Sequence, residues 1–128
     1  MSQTTSLATL AMVNLDAPDP GALADFYSAV LGWPVVHRQA EYAMISSGTE
    51  GAAPIGFGLA EGYQAPEWSP DAGAGKRFHL DFSVDDPDAA TARCVELGAT
   101  KPEFQPGGDR WTVVLDPAGH PFCLCKRS

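Results

Sequence analysis

Two stretches of this chain, 69 residues apart, follow the same pattern. Val84-Asp85-Asp86-Pro87 closes a segment in which apolar residues occupy every second position, and Leu15-Asp16-Ala17-Pro18 closes another. A period of two is that of a β-strand, and an acidic residue ahead of proline suits the first turn of a helix. The repetition of strand and helix predicts that the chain contains two copies of one unit.

The rest of each copy extends the repeat to five elements. In the first copy we predict a strand at 7–15, a helix at 20–31 and strands at 33–38, 41–47 and 55–60. In the second copy we predict a strand at 77–84, a helix at 87–97 and strands at 100–104, 110–115 and 121–126. We therefore expect one α+β domain with modules at about 7–60 and 77–126 and a connector at 61–76.

The bulk composition excludes several classes of protein. Sixteen acidic and eight basic residues give a net charge of −8, which disfavours binding to nucleic acid or to an anionic membrane surface. No window approaches the roughly 18 apolar residues of a transmembrane helix, and three cysteines, an odd number, imply no disulfide framework. We expect a cytoplasmic protein with a neutral or cationic ligand, although surface charge often serves solubility alone.

The strand predicted at 77–84 carries the first candidates for chemistry. One of its faces is apolar, and the other carries Arg77, His79, Asp81 and Ser83. His79 and Asp81 are neighbours on that polar face, so one ligand can touch both and the carboxylate can hold the second imidazole nitrogen. The pair suits a general acid or base. The alternative is a partly buried histidine with satisfied hydrogen bonds and no role in chemistry.

The element order resembles that of the vicinal oxygen chelate superfamily. So do the Asp-Asp-Pro at 85–87, the Leu-Gly after each predicted helix and the closing Asp-Pro-Ala-Gly-His-Pro-Phe-Cys-Leu at 116–124. This superfamily includes glyoxalase I, bleomycin-resistance proteins and extradiol dioxygenases, and the chain looks closest to its small glyoxalase-like members. The resemblance implies two βαβββ modules whose eight strands form one curled mixed sheet, a cup with the helices outside.

The resemblance also implies a homodimer, because such cups are commonly completed by a second subunit. Two features of the sequence favour this independently. A curled sheet has open edges, and Gly56 and Gly58 leave one face of the strand predicted at 55–60 without side chains. Such a face suits close approach of a ligand, another strand or a partner subunit.

Metal-dependent members of the superfamily hold their ion with residues from the first and last strands of each module. The corresponding residues here are His79 and Cys123 in the second module and Leu10 and about Gly58 in the first. Leucine and glycine have no donor side chain, and a zinc site needs at least three protein ligands. We therefore expect no native divalent metal and no cofactor. The residues that would have to complete a zinc site are Asp81, Glu61 or His37.

Cys123 and three tryptophans complete the candidate ligand-binding residues. Large aromatic side chains can line the mouth of a pocket or pack a subunit interface, and those concerned are Trp33, Trp68 and Trp111. Cys123 is more typical of a small buried hydrophobic residue than of a nucleophile, since the sequence assembles no base around it. Cys125 is predicted to point the opposite way, towards the helices.

Two functions from different classes fit these observations. The first is metal-free binding of a small molecule, as in the bleomycin-resistance proteins that the chain resembles. The second is a metal-dependent enzyme of the glyoxalase, lyase or dioxygenase type that uses His79. The missing metal ligands favour the first function, and the sequence identifies neither a ligand nor a reaction.

Overall fold

A computed structural model describes residues 6–69 and 78–127. The chain divides into two compact units, Met1–Ala60 and Glu61–Ser128. In the described residues each unit holds one sheet and one helix, so the predicted α+β class and its two repeated modules are confirmed. No helix in the described part of the chain is long and apolar enough to cross a membrane.

The first unit contains all five predicted elements. They are β1 (Val13–Ala17), α1 (Pro20–Leu31), β2 (Val35–Arg38), β3 (Tyr42–Ile45) and β4 (Ile55–Leu59). The sheet has the order β1-β4-β3-β2, with β1 and β4 parallel and the other pairs antiparallel. The first strand begins six residues later than predicted, and Leu7 and Leu10 ahead of it are exposed.

Helix α1 begins and ends as its sequence predicts. The Asp19 carboxylate accepts a hydrogen bond from the backbone N–H of Ala22, and Pro20 occupies the first turn, where a missing N–H costs nothing. Gly32 ends the helix in the left-handed region at φ 74°. The buried face of the helix packs on the sheet, where the Tyr27 ring stacks on Phe57 at 5.6 Å between centroids.

Within its described residues, the second unit has one strand fewer than the first. Its elements are β5 (Leu80–Val84), α2 (Pro87–Glu96), β6 (Trp111–Leu115) and β7 (Pro121–Lys126), with the sheet order β5-β7-β6. The strand predicted at 100–104 is wrong, because only Thr100 forms a β-bridge, to Leu115. The predicted strand at 77–84 is shortened to Leu80–Val84, and its residue Arg77 lies outside the described residues.

The place of the missing strand is taken by a side chain. The Gln105 amide nitrogen donates to the Val113 carbonyl at 3.0 Å, and the Gln105 carbonyl oxygen accepts from the Val113 N–H at 2.8 Å. These are the two hydrogen bonds that the backbone of a neighbouring strand would make to β6. One glutamine and one bridge therefore cover the outer edge of β6.

The two sheets share one pairing register. Val13 pairs with Ile55 and Leu80 pairs with Phe122, so the parallel partners are 42 residues apart in both units. A shift of 67 relates β1 to β5, β4 to β7 and the helix-capping Asp19 to Asp86, two residues fewer than the 69 that aligned the sequence motifs. Residues of one unit can be matched to those of the other by their backbone hydrogen bonds alone.

The strand that carries Gly56 and Gly58 does not pair with a further strand or a partner subunit in the way the sequence suggested. β4 lies inside its sheet, between β1 and β3, so it offers no free edge to another strand. A side chain at Gly56 would clash with the side-chain oxygen Oδ1 of Asn14 and with the Tyr42 hydroxyl, whereas nothing lies within 4 Å of the corresponding position at Gly58. Close approach at Gly56 comes from this unit's own side chains.

Candidate functional site

The site is built on the first strand of the second unit. Alternation along β5 leaves Asp81 and Ser83 exposed, while Phe82 turns the other way and packs against Phe122 with ring centroids 5.5 Å apart. His79 directly precedes the strand, and its Nε2 lies 3.2 Å from Asp81 Oδ1, a hydrogen-bonding distance. The two side chains are 28% and 63% exposed, so the pair can meet a ligand from solvent.

Cys123 lies beside this pair because β7 runs parallel to β5. The register opposes Asp81 to Cys123, which places both side chains on one face of the sheet. Burial, followed by the negative charge and hydrogen bonding of Asp81, raises the pKa of the Cys123 thiol to about 12. Cys123 is therefore a neutral thiol at neutral pH, which makes it a hydrogen-bonding and packing residue rather than a nucleophile.

The prediction that Cys125 faces the helices is wrong. Residues two apart in a strand share a face, and the register opposes Cys125 to Ser83, on the face of Asp81. Burial raises the pKa of Cys125, and the Asp81 carboxylate contributes in the same direction. Both cysteines of β7 therefore lie on the Asp81 face.

The donor atoms of His79, Asp81 and Cys123 all lie within 4.8 Å of one another. An imidazole nitrogen, a carboxylate oxygen and a thiol sulfur form a donor set that suits zinc, and three donors reach the minimum that zinc sites use. The same set does not suit Mg²⁺ or Ca²⁺, which prefer several oxygen ligands. Asp81 therefore lies close to both His79 and Cys123, the two residues at superfamily metal positions. The sequence did not predict this arrangement of all three.

The first unit has no matching donors. By backbone register, the residues equivalent to His79, Asp81 and Cys123 are Met12, Asn14 and Gly56. The sequence-based matches to Leu10 and Gly58 were each two residues off, because the two sheets are related by a shift of 67 rather than 69. Gly56 has no side chain, and a thioether with an amide does not reproduce the imidazole, carboxylate and thiol of the second unit, so the three-donor site belongs to the second unit.

The tryptophans occupy three different settings. Trp111 is opposite Cys125 in the register and therefore shares the face of Asp81, with the Arg110 guanidinium 5.1 Å from its ring centroid. Trp68 donates from its indole nitrogen to the Phe104 carbonyl at 3.0 Å, which ties the connector to the loop before β6. Trp33 lies in the first unit just after α1, where its carbonyl accepts from the Ser28 hydroxyl.

His37 and Glu61 are not members of the three-donor group. His37 is on β2 of the first unit, with its ring 5.5 Å from that of Tyr42, and Glu61 is exposed. Val113 was not nominated from the sequence, yet the register opposes it to Cys123, where it is 1% exposed. An apolar residue in a strand carries no signal that separates a site wall from ordinary core.

The protein is an α+β protein of two repeated units, and one unit carries a polar site on its first and last strands. The family model for the glyoxalase-like domain matches residues 12–125, and the chain belongs to that family within the vicinal oxygen chelate superfamily. No curated protein sequence matches the chain.

Solved structures agree with this assignment. A glyoxalase/bleomycin resistance protein/dioxygenase family enzyme from Burkholderia phytofirmans PsJN is 27% identical, with a TM-score of 0.66 over 93% of this chain and 98% of that one. A glyoxalase-related enzyme from Fulvimarina pelagi is 22% identical, with a TM-score of 0.64 over 94% and 89%. A fosfomycin resistance protein from Mesorhizobium loti is 17% identical, with a TM-score of 0.66 over 96% and 94%.

Proposed function

We propose that the protein binds a small neutral or cationic molecule at the face that carries His79, Asp81 and Cys123, without a native divalent metal. The observation that supports this most directly is the 3.2 Å contact between His79 and Asp81. It gives the site a polar pair that is oriented within the protein and still accessible to a ligand. The structure at 27% identity is named as an enzyme of the glyoxalase/bleomycin resistance protein/dioxygenase family, so its name includes bleomycin resistance beside two catalytic classes.

Charge favours a cationic ligand over an anionic one. The chain carries a net charge of −8, and Asp81 supplies a largely exposed carboxylate at the site itself. Trp111 adds an aromatic surface on the same face, which can stack on a flat group of the ligand. The neutral Cys123 thiol adds a small, weakly polar surface beside His79 and Asp81.

Bleomycin is a suitable cationic probe, followed by the intrinsic fluorescence of the tryptophans or by calorimetry. We expect Asp81→Asn to weaken its binding roughly 10- to 150-fold, the range for loss of a hydrogen bond to a charged group. Glu103→Gln is the matched control, because it also replaces one exposed carboxylate by an amide but lies on the loop before β6. Equal losses in the two variants would mean that net charge alone attracts the drug.

A metal-dependent enzyme is the second candidate function, and the three donors within 4.8 Å favour it. If a zinc ion is held there, it supplies Lewis-acid chemistry, with His79, Asp81 and Cys123 as its protein ligands. Elemental analysis of the purified protein separates the two functions. About one zinc per chain, lost in both His79→Ala and Cys123→Ala, would overturn the metal-free proposal. Binding of bleomycin to protein free of metal would support it.

A further inference from the structure

A pocket lies in the second unit on the side of the sheet opposite His79 and Asp81. Thr112 and Lys126 line it, and they alternate along their strands with residues of the other face. Its volume is about 360 Å³, within the range of small-molecule sites. The other walls are the first turn of α2 and the loop between Lys101 and Asp109.

The pocket exists because the second unit lacks its second strand. After the Thr100 bridge the chain leaves the sheet, and its loop forms a wall where the first unit has β2. That wall is held in place, since the Gln105 amide bonds to Pro102 and Val113 and the Trp68 indole bonds to Phe104. The cavity is therefore bounded by a loop whose conformation is fixed by hydrogen bonds.

The pocket collects charges of both signs. Lys101 and Lys126 are two of the three lysines of this acidic chain, and both line the pocket together with Asp88 and Asp109. Among the described residues, none of these four side chains has an ion pair within 4 Å or a side-chain hydrogen bond. Both ammonium groups and both carboxylates are thus available to a ligand.

The start of α2 adds no anion site. The Asp86 carboxylate already accepts from the backbone N–H groups of Asp88 and Ala89, and Pro87 has no N–H. Positive charge in the pocket therefore comes from the two lysines alone. A simple anion would also meet two carboxylates, and a simple cation would also meet two ammonium groups, so neither matches the lining.

We propose that this pocket is a second ligand site, for a small zwitterion of the amino-acid class. Its carboxylate would pair with Lys101 and Lys126 and its ammonium group with Asp88 and Asp109. The proposal is independent of the function of the His79 face.

Three probes of matched length test the charge requirement: γ-aminobutyrate, butyrate and butylamine. We expect saturable shifts in the nuclear magnetic resonance spectrum with γ-aminobutyrate, at amides of the 101–109 loop and the first turn of α2, with Kd below about 10 mM. Butyrate and butylamine should bind at least tenfold more weakly. Equal binding of either one, or no saturation with γ-aminobutyrate, would overturn the proposal.

Variants locate the site. Lys101→Gln combined with Lys126→Gln should weaken γ-aminobutyrate binding at least tenfold, while Arg93→Gln combined with Arg110→Gln, which removes the same charge elsewhere, should not. His79→Ala should leave it unchanged. Loss of binding in His79→Ala, or its survival in the double lysine variant, would contradict the assignment. An unchanged spectrum in the absence of probe confirms that each variant is folded.

Discussion

The Cys123 thiol links stability to alkaline pH. Its pKa is raised from the ordinary 9.0 to about 12, first by burial and then by Asp81. The folded protein therefore binds this proton more tightly than the unfolded chain, and the resulting stability is fully present below about pH 9 and is lost as pH rises towards 12. We expect the free energy of unfolding, measured by urea titration across this window, to fall less steeply in Cys123→Ala.

Cys125→Ala is the control for that experiment. The pKa of Cys125 is also raised, but Cys125 is less buried, and its substitution should leave most of the alkaline slope in place. An identical slope in the unaltered protein and in Cys123→Ala would show that Cys123 ionises as an ordinary thiol. The comparison uses slopes rather than absolute stabilities, so the cavity left by the alanine does not affect it.

Gly56 and Gly58 of β4 differ in the space available for a side chain, so alanine substitutions at the two positions should differ in their effect on stability. A methyl group at Gly56 would collide with Asn14 and Tyr42, so we expect Gly56→Ala to cost about 1 to 3 kcal/mol of stability. Gly58→Ala adds a methyl group into open space at an ordinary backbone angle, and it should be neutral or stabilising by up to about 1 kcal/mol. Thermal unfolding of both variants measures the difference, and similar melting temperatures would refute the packing at Gly56.

Among the secondary-structure elements, β6 receives from Gln105 the hydrogen bonds that a neighbouring strand would otherwise make. Val113 is buried, so removing the Gln105 amide leaves its backbone N–H and C=O without protein partners. Each such group costs about 1 to 3 kcal/mol, and we expect Gln105→Ala to lower the free energy of unfolding by at least about 1 kcal/mol. Amide hydrogen exchange should quicken at Val113 in particular.

A matched substitution separates this role from a general effect of losing glutamine. Gln64 is exposed in the connector, and Gln64→Ala should change stability by less than about 0.5 kcal/mol. Gln105→Glu keeps an acceptor for the Val113 N–H but opposes a carboxylate to the carbonyls of Pro102 and Val113. If Gln105→Ala proved as mild as Gln64→Ala, water would be replacing the amide at no cost.

We still predict that the whole molecule is a homodimer, but the evidence for it is no longer the glycine-bearing strand β4. β4 has no free edge, but β1 and β5 each end a sheet, and the exposed Leu10 and Phe78 lie just ahead of them. Exposed apolar residues beside strand edges favour association. Light scattering at micromolar concentration should give twice the mass of one chain.

Substitution of these residues should weaken that association. Leu10→Ser combined with Phe78→Ser should shift the mass towards the monomer, whereas Val95→Ser, at an exposed apolar residue on α2, should not. A monomeric mass for the unaltered protein would remove the prediction altogether. A dimer insensitive to both sets of changes would place the interface elsewhere.

Most of the fold could be read from the sequence, because local rules decide most of it. Periods of two and 3.6, together with Asp19, Pro20 and Gly32, gave α1 its observed bounds, and β7 also matches its prediction. The strand at 100–104 failed because pairing to β6 depends on a neighbour distant in the chain. Nothing local distinguishes a backbone hydrogen bond from the Gln105 amide that replaces it.

The sequence by itself determined the repeat, the helix caps and the polar alternation that exposes Asp81, since each depends on residues close together in the chain. It also nominated His79 and Cys123 through their superfamily positions. Only the tertiary structure decided that Asp81 lies opposite Cys123, that Cys125 shares their face and that Gly56 is the first-unit counterpart of Cys123. Those facts follow from the register between β5 and β7 and between β1 and β4, and register is fixed by packing between segments about 42 residues apart.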